Sequence, residues 1–401
     1  MAAMTWFDAH LDLAYLAVRG RDMLAALDPG AGPHPPAALT LPVLREGGVR
    51  FALATIFTEP LMADDEQSSG VAPRPEPQSY PPGDVERAFA AGRAQLEVYL
   101  TWRDRGEVAL DLPRLFRDEP GVGAVRGGMG VAEPVPFSMD QRLARVPARP
   151  RLRLGLLMEN ADPIRAPEDL AWWVERGVCA VGLAWARPSR YAGGNLTTLG
   201  LTDLGRALVG EMDRLGVVHD ASHLSDRALA DLFERTDRPV MASHSNCRAQ
   251  ADGVSQRHLA DAAIRELARR GGVIGLNLFS AFLRRSEAPR PASPAAAPAP
   301  AGAEARATLD DCIRHLEHIR DLVGHSRCIG LGSDMDGGFG ADRLPRGIDS
   351  PRDLDRLVDA FSARGWSDDD ILGFAWKNWA RFWSTAGAGG RTSASPASAR
   401  A

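Results

Sequence analysis

TDLGRALVGEMDRLGVVHDASHLSDRALADLFERTDRPVMASHSN, residues 202–246, reads as two consecutive units in which a helix feeds a short apolar strand and the strand ends in histidine. Thr202 and Ser225 each precede a run with helical periodicity, as N-cap residues do. The runs 217–221 and 240–243 begin with paired apolar residues, as strands buried on both faces of a parallel sheet do. Similar runs occur at 5–9, 50–57, 153–158, 178–185, 272–278 and 328–332, with helix-like segments between them. Eight strands alternating with helices predict an α/β chain folded as a (β/α)8 TIM-type barrel. The helix after Thr308 fits this rhythm, because Leu309, Cys312, Ile313, Leu316, Ile319 and Val323 form one apolar stripe.

The expected organisation is a single barrel domain over 1–385, with flexible insertions at 63–83 and 284–307 and a disordered tail at 386–401. These segments are too rich in Pro, Ala, Gly and Ser to bury much apolar surface. The run 121–150 is also irregular and rich in Gly and Pro, and in a barrel it makes a long excursion before the third strand.

Composition narrows the function. With 401 residues, 45% hydrophobic and 25% charged, the chain has an ordinary globular balance. A net charge of -5 with scattered arginines offers no basic field for nucleic acid or anionic lipid. Four cysteines, Cys179, Cys247, Cys312 and Cys328, lie far apart without a Cys-x-x-Cys pair, so they read as reduced thiols. Strand-like sequence starts at Trp6, no apolar stretch is long enough to span a bilayer, and TSASPASARA at 392–401 is no lipid-anchor signal. The expectation is a cytoplasmic enzyme with neither nucleic-acid nor membrane partners.

Metal-binding side chains recur at the carboxyl ends of the strands, where barrels build their sites. His10 and Asp12 are two apart, so in extended chain both project to one side. Taken alone, a histidine held by a neighbouring carboxylate explains them equally well. Glu159 follows four apolar positions of LGLLME and must be exposed, hydrogen-bonded or metal-bound. HDASH and ASHSN supply His223 and His244 at neighbouring strand ends. His219, an even number of positions before His223, is a rival ligand or a supporting group deeper in the strand. Together these side chains suffice for two zinc ions sharing a carboxylate. Asp334 ends the eighth strand and suits a proton carrier; Asp336, just before Gly337, better suits a turn cap. His315 and His318 read as solvated residues of their helix, while His34, His258 and His325 read as loop residues or, for His258, a helix start.

With these residues in place, the sequence resembles the membrane (renal) dipeptidase family, zinc peptidases of the metal-dependent amidohydrolase superfamily. The resemblance rests on FDAHLDL (7–13), LLMENADPI (156–164), the long segment ending DASHLSD at 226, PVMASHSNCRA (239–249), RRGGVIGLNLFSAFL (269–283) and HLEHIRDLVGHSRCIGLGSDMDG (315–337). It implies a metallo-dependent hydrolase barrel with two Zn2+ per chain, one held by His10 and Asp12, the other by His223 and His244, with Glu159 bridging. It further implies that a bridging hydroxide attacks the peptide carbonyl of a small dipeptide, with Asp334 carrying the proton and tolerance of a D-residue at the carboxyl side. Arg257, with a two-residue insertion allowed, aligns with the arginine that binds the substrate carboxylate; Arg248 is its competitor. Trp185 stands where many relatives carry a substrate-binding histidine, Asn160 stands where glycine often follows the glutamate, and the Pro/Ala run after Leu283 is a further departure. Trp185 keeps open a second reading, an amidohydrolase acting on another small amide, β-lactam or ester; a non-catalytic metal-binding barrel is a third. A homodimer is also a family expectation.

Overall fold

The computed structural model describes residues 4–61, 76–117, 151–285 and 306–386. Each of the eight apolar runs contains a strand: β1 Trp6–Leu11, β2 Val49–Ile56, β3 Leu152–Met158, β4 Val178–Gly182, β5 Val218–Asp220, β6 Val240–Met241, β7 Ile274–Leu276 and β8 Ile329–Leu331. They pair in parallel in the order β7-β8-β1-β2-β3-β4-β5-β6. A parallel bridge between Ala242 and Ile274 joins the two ends: Ala242 N–H donates to Val273 O at 3.0 Å and Gly275 N–H to Ala242 O at 2.8 Å. The result is a nearly closed (β/α)8 barrel.

Closure is tight where β6, β7 and β8 meet. A Cβ placed on Gly275 or Gly332 would overlap the Ser243 carbonyl oxygen, so only glycine lets these backbones converge. The helices begin as their caps dictate. Thr202, Ser225 and Thr308 accept from the backbone N–H of Gly205, Ala228 and Asp311, and Thr308 completes a capping box with Asp311. The stripe of Leu309–Val323 packs on the barrel: Cys312, Ile313, Leu316 and Ile319 are buried, with Leu309 and Val323 partly so.

Most of the expected flexible runs, 62–75, 286–305 and 387–401, lie outside the described residues, as does the irregular run 121–150. Where description resumes at 76, Ser79–Tyr80 pairs with Glu59–Pro60 as a small parallel sheet. Tyr80 is buried, and its hydroxyl donates to Asp162 at 2.6 Å and accepts from Asn160 at 3.0 Å. The Pro-rich composition hid this anchor, which depends on one aromatic side chain. All four cysteines are buried, and none of them forms a disulfide. Among the described residues no helix is long and apolar enough to cross a membrane.

Candidate metal centre

The side chains expected from the sequence converge at the carboxyl end of the barrel. His10 lies on β1, and Asp12 stands just before the helix that follows it, without a capping bond from its side chain. Glu159 follows β3 directly, and His223 and His244 lie in the turns after β5 and β6. His223 and Asp334 adopt φ of 68° and 59°. Such left-handed backbone is uncommon outside glycine and tends to collect at functional sites. All six residues are buried.

Glu159 is the centre of the group. Its Oε1 lies 3.5 Å from His10 Nε2, 3.3 Å from His223 Nε2 and 3.5 Å from His244 Nε2. His10 Nε2 is also 3.7 Å from Asp12 Oδ1. Ligand bonds of about 2.0–2.2 Å place neighbouring donors of a tetrahedral site roughly 3.3–3.6 Å apart. Three overlapping sets have their donor atoms within 4.8 Å: His10, Asp12, Glu159; Glu159, His223, His244; and His10, His244, Asp334. His10 Nε2 and Glu159 Oε2 are buried without a hydrogen-bond partner, a costly state that a cation would relieve. The His223 and His244 Nε2 atoms face each other at 2.9 Å. Two divalent ions sharing Glu159 therefore fit the residues present.

The electrostatics agree. Burial, and then Asp12 and Asp334, push the Glu159 carboxyl well above its usual range. Asp334 is raised likewise, by burial and then Asp12. Burial first, with Arg257 and neighbouring imidazoles adding to it, holds His10, His223 and His244 well below the usual histidine range. Neutral imidazoles and mutually repelling carboxyls form a site that wants positive charge.

The cleft above this group opens to solvent and is lined by residues that include Trp185, Arg257 and Asp334. Arg257 is 2% exposed and reaches Ser245 Oγ at 3.2 Å and the His244 carbonyl at 2.9 Å. Both partners are neutral. Arg248 differs: it pairs with Asp226 at 2.6 and 2.9 Å and sits on backbone carbonyls. Trp185 packs 5.1 Å from Phe57 and 5.8 Å from His223, so it forms an aromatic wall beside the second imidazole pair. Asp334 Oδ2 accepts from Asn277 at 2.8 Å. Asp336 takes an ion pair from Arg21 and the backbone N–H groups of Ala38 and Leu39 at 2.9 Å, so it ties down the loop that follows the first helix.

Three histidine expectations change: His318, read as solvated, is part-buried between Gln250 at 3.1 Å and Asp261 at 2.8 Å. β5 ends at Asp220, so strand parity does not extend from His219 to His223; His219 points away to Asp213 at 2.8 Å. His315 is fully buried rather than solvated: Nδ1 accepts from Cys247 N–H at 3.1 Å and Nε2 meets Leu283 O at 3.0 Å. Sequence reasoning also missed Tyr15, His34, Phe57, Glu59 and Phe282 in the cleft wall. Phe57 and Glu59 directly follow β2, so the strand-end rule could have found them. His34 enters from a loop through the Tyr15 hydroxyl at 2.9 Å, and nothing local announced it.

Residues 138–396 match the sequence pattern of the membrane dipeptidase family, peptidase family M19. The chain belongs to that family. This M19 chain is 29% identical over 192 residues to an uncharacterised dipeptidase of Schizosaccharomyces pombe, covering 48% of its own length and 42% of the relative. Mouse dipeptidase 3 is 29% identical over 174 residues, 43% of this chain and 30% of the mouse protein. The chain thus spans less than half the length of either relative. A crystal structure of a Rhodobacter sphaeroides metallopeptidase, liganded with a phosphinate mimic of the dipeptide L-Ala-D-Ala, superposes with a TM-score of 0.69 at 25% identity, covering 96% of this M19 chain and 99% of the other.

Proposed function

We propose that this chain is a dinuclear zinc dipeptidase that hydrolyses small dipeptides and accepts a D-residue at the carboxyl side. The observation that carries the reading is the meeting of four candidate metal donors around a fifth, Glu159, in a cleft whose wall holds a buried arginine that has no carboxylate partner among the described residues. The dipeptide mimic bound by the Rhodobacter sphaeroides protein supports both the substrate size and the D-residue.

His10 and Asp12 would hold one zinc, His223 and His244 the other, and Glu159 both. When bound, the pair supplies Lewis acidity, lowering the pKa of water toward neutrality and polarising the scissile carbonyl. The chain's own groups do the rest. Arg257 takes the substrate carboxylate bidentately, because its planar fork matches two oxygens. Asp334, held by Asn277 and raised by its surroundings, takes the proton from the attacking water and delivers it to the departing amine. Phe57 and Trp185 keep the amino-side residue against an apolar wall and water away from it. Trp185 favours one second reading, the same centre acting on another small amide, β-lactam or ester, because an indole donates one hydrogen bond but does not titrate.

Elemental analysis paired with hydrolysis of L,L and L,D dipeptides, before and after chelation, tests the proposal. About two zinc per chain, the number the donor set suits, with chelator-sensitive release of amino acids is the expected result. Zinc without dipeptide cleavage would move the reading to the second substrate class. Failure to bind zinc would overturn the ligand assignment.

A further inference from the structure

The far sides of two imidazoles in the centre meet at one hydroxyl. Ser243 Oγ lies 3.2 Å from His10 Nδ1, 2.8 Å from His244 Nδ1 and 2.6 Å from Asp220 Oδ2, and all four residues are buried. The two rings stack across the barrel with centroids 3.5 Å apart. A serine hydroxyl has one hydrogen and two acceptor positions. The carboxylate at 2.6 Å takes the hydrogen, since a charge-assisted bond is both shorter and stronger. Ser243 is left with acceptor capacity only, so both rings must donate through Nδ1–H. Both Nε2 atoms are then unprotonated and face Glu159.

Resting on the reading that these rings bind metal, we propose that Asp220 and Ser243 are positioning residues: one hydroxyl, oriented by one carboxylate, sets the tautomers of His10 and His244 together. The two rings belong to the two zinc positions, so the pair readies both halves of the centre at once. The device is rigidly placed. Asp220 Oδ1 accepts from the backbone N–H of Ser222 at 3.0 Å and of Ser243 at 2.8 Å, and glycines 275 and 332 close the barrel against the Ser243 carbonyl. The third ring is set separately, by His223 Nδ1 at 3.0 Å from Asn195 Oδ1.

The geometry dictates what Asp220→Asn does. Its Oδ1 must still accept two backbone N–H groups, so the new amide nitrogen takes the place of Oδ2 and donates to Ser243 Oγ. The hydroxyl hydrogen then turns to a nearer acceptor, an imidazole Nδ1 at 2.8 or 3.2 Å rather than Ser222 Oγ at 3.4 Å, and that ring carries its proton on Nε2, the ligand atom. Ser243→Ala removes the common acceptor altogether.

The experiment combines nitrogen-15 NMR of histidine tautomers in the full-length, metal-stripped protein with zinc competition against a chromophoric chelator. In the wild type both rings are expected as Nδ1–H. In Asp220→Asn one ring switches to Nε2–H and one zinc equivalent weakens by roughly 10–100-fold, the usual effect of losing a ligand's outer partner, while the other equivalent is retained. In Ser243→Ala both equivalents weaken. A wild-type spectrum with either ring as Nε2–H overturns the inference, even if no variant folds. Wild-type tautomers and affinities in Asp220→Asn do the same. Either result, with two zinc still bound by the wild type, leaves the metal reading standing; a wild type that binds no zinc removes that reading instead.

Discussion

Replacing Arg257 by methionine keeps an unbranched apolar stem in the place of its aliphatic part and removes the charged guanidinium. Arg257 is enclosed; among the described residues its guanidinium donates to Ser245 Oγ and the His244 carbonyl, and it lies 5.2 Å from the Phe282 ring. A substrate carboxylate about 4 Å from it, at an effective dielectric of about 20, gains roughly 4 kcal/mol. That corresponds to about a thousandfold in kcat/KM. The assay is a cycle of four rate measurements: wild type and Arg257→Met, each with a free dipeptide and with the same dipeptide as its C-terminal amide. The wild type is expected to prefer the free acid by about that factor, and the variant to lose the preference. Zinc content must be followed in parallel, because Arg257 also holds Glu159 and Asp334 down, and its removal raises both carboxyls. If the variant slows both substrates equally, Arg257 acts only through Ser245 and His244, and the carboxylate anchor is refuted.

Asp334→Asn is expected to lower kcat by roughly 10²–10⁴ while elemental analysis still finds zinc, since the other five donors remain; loss of metal with the rate would assign Asp334 to metal binding instead. A carboxyl whose folded pKa is raised, such as Glu159 or Asp334, favours the metal-free fold below the ordinary carboxyl range, and that contribution is lost as pH rises through the raised value. Zinc displaces those protons, so the rise in Tm on adding zinc should grow from mildly acid to mildly alkaline pH, with proton release seen by calorimetry in two buffers; a pH-independent gain contradicts this. Gly332→Ala pushes a methyl group into the Ser243 carbonyl and should cost about 3 kcal/mol in urea denaturation; an unchanged midpoint would show that the barrel end yields easily.

Much of the fold was legible because parallel barrel strands are buried on both faces and so appear as uninterrupted apolar runs. The runs at 50–57 and 153–158 overlap their strands almost residue for residue. The candidate metal donors were legible for a related reason: a polar residue ending such a run sits at the barrel mouth. That rule found Glu159, His223, His244 and Asp334. It misjudged His219, because alternation holds only while the chain stays extended and β5 stops at Asp220. His315 was misread from its place on the flank of a helix stripe, although Cys247 and Leu283 cover that flank from distant parts of the chain.

The sequence by itself determined the alternating architecture, the donors at the strand ends and the family, since each depends on short-range spacing along one chain. Tertiary structure decided the relations between strands. It separated Arg257, facing the cleft with neutral partners, from Arg248, already neutralised by Asp226. It brought His34 and Tyr15 into the wall and tied Tyr80 to Asp162. It also set Ser243 between His10 and His244, residues 233 and 1 positions away. The physical reason is that burial and periodicity act locally, whereas a hydrogen's choice among acceptors, or a charge's choice among partners, depends on distances that exist only once the barrel has closed.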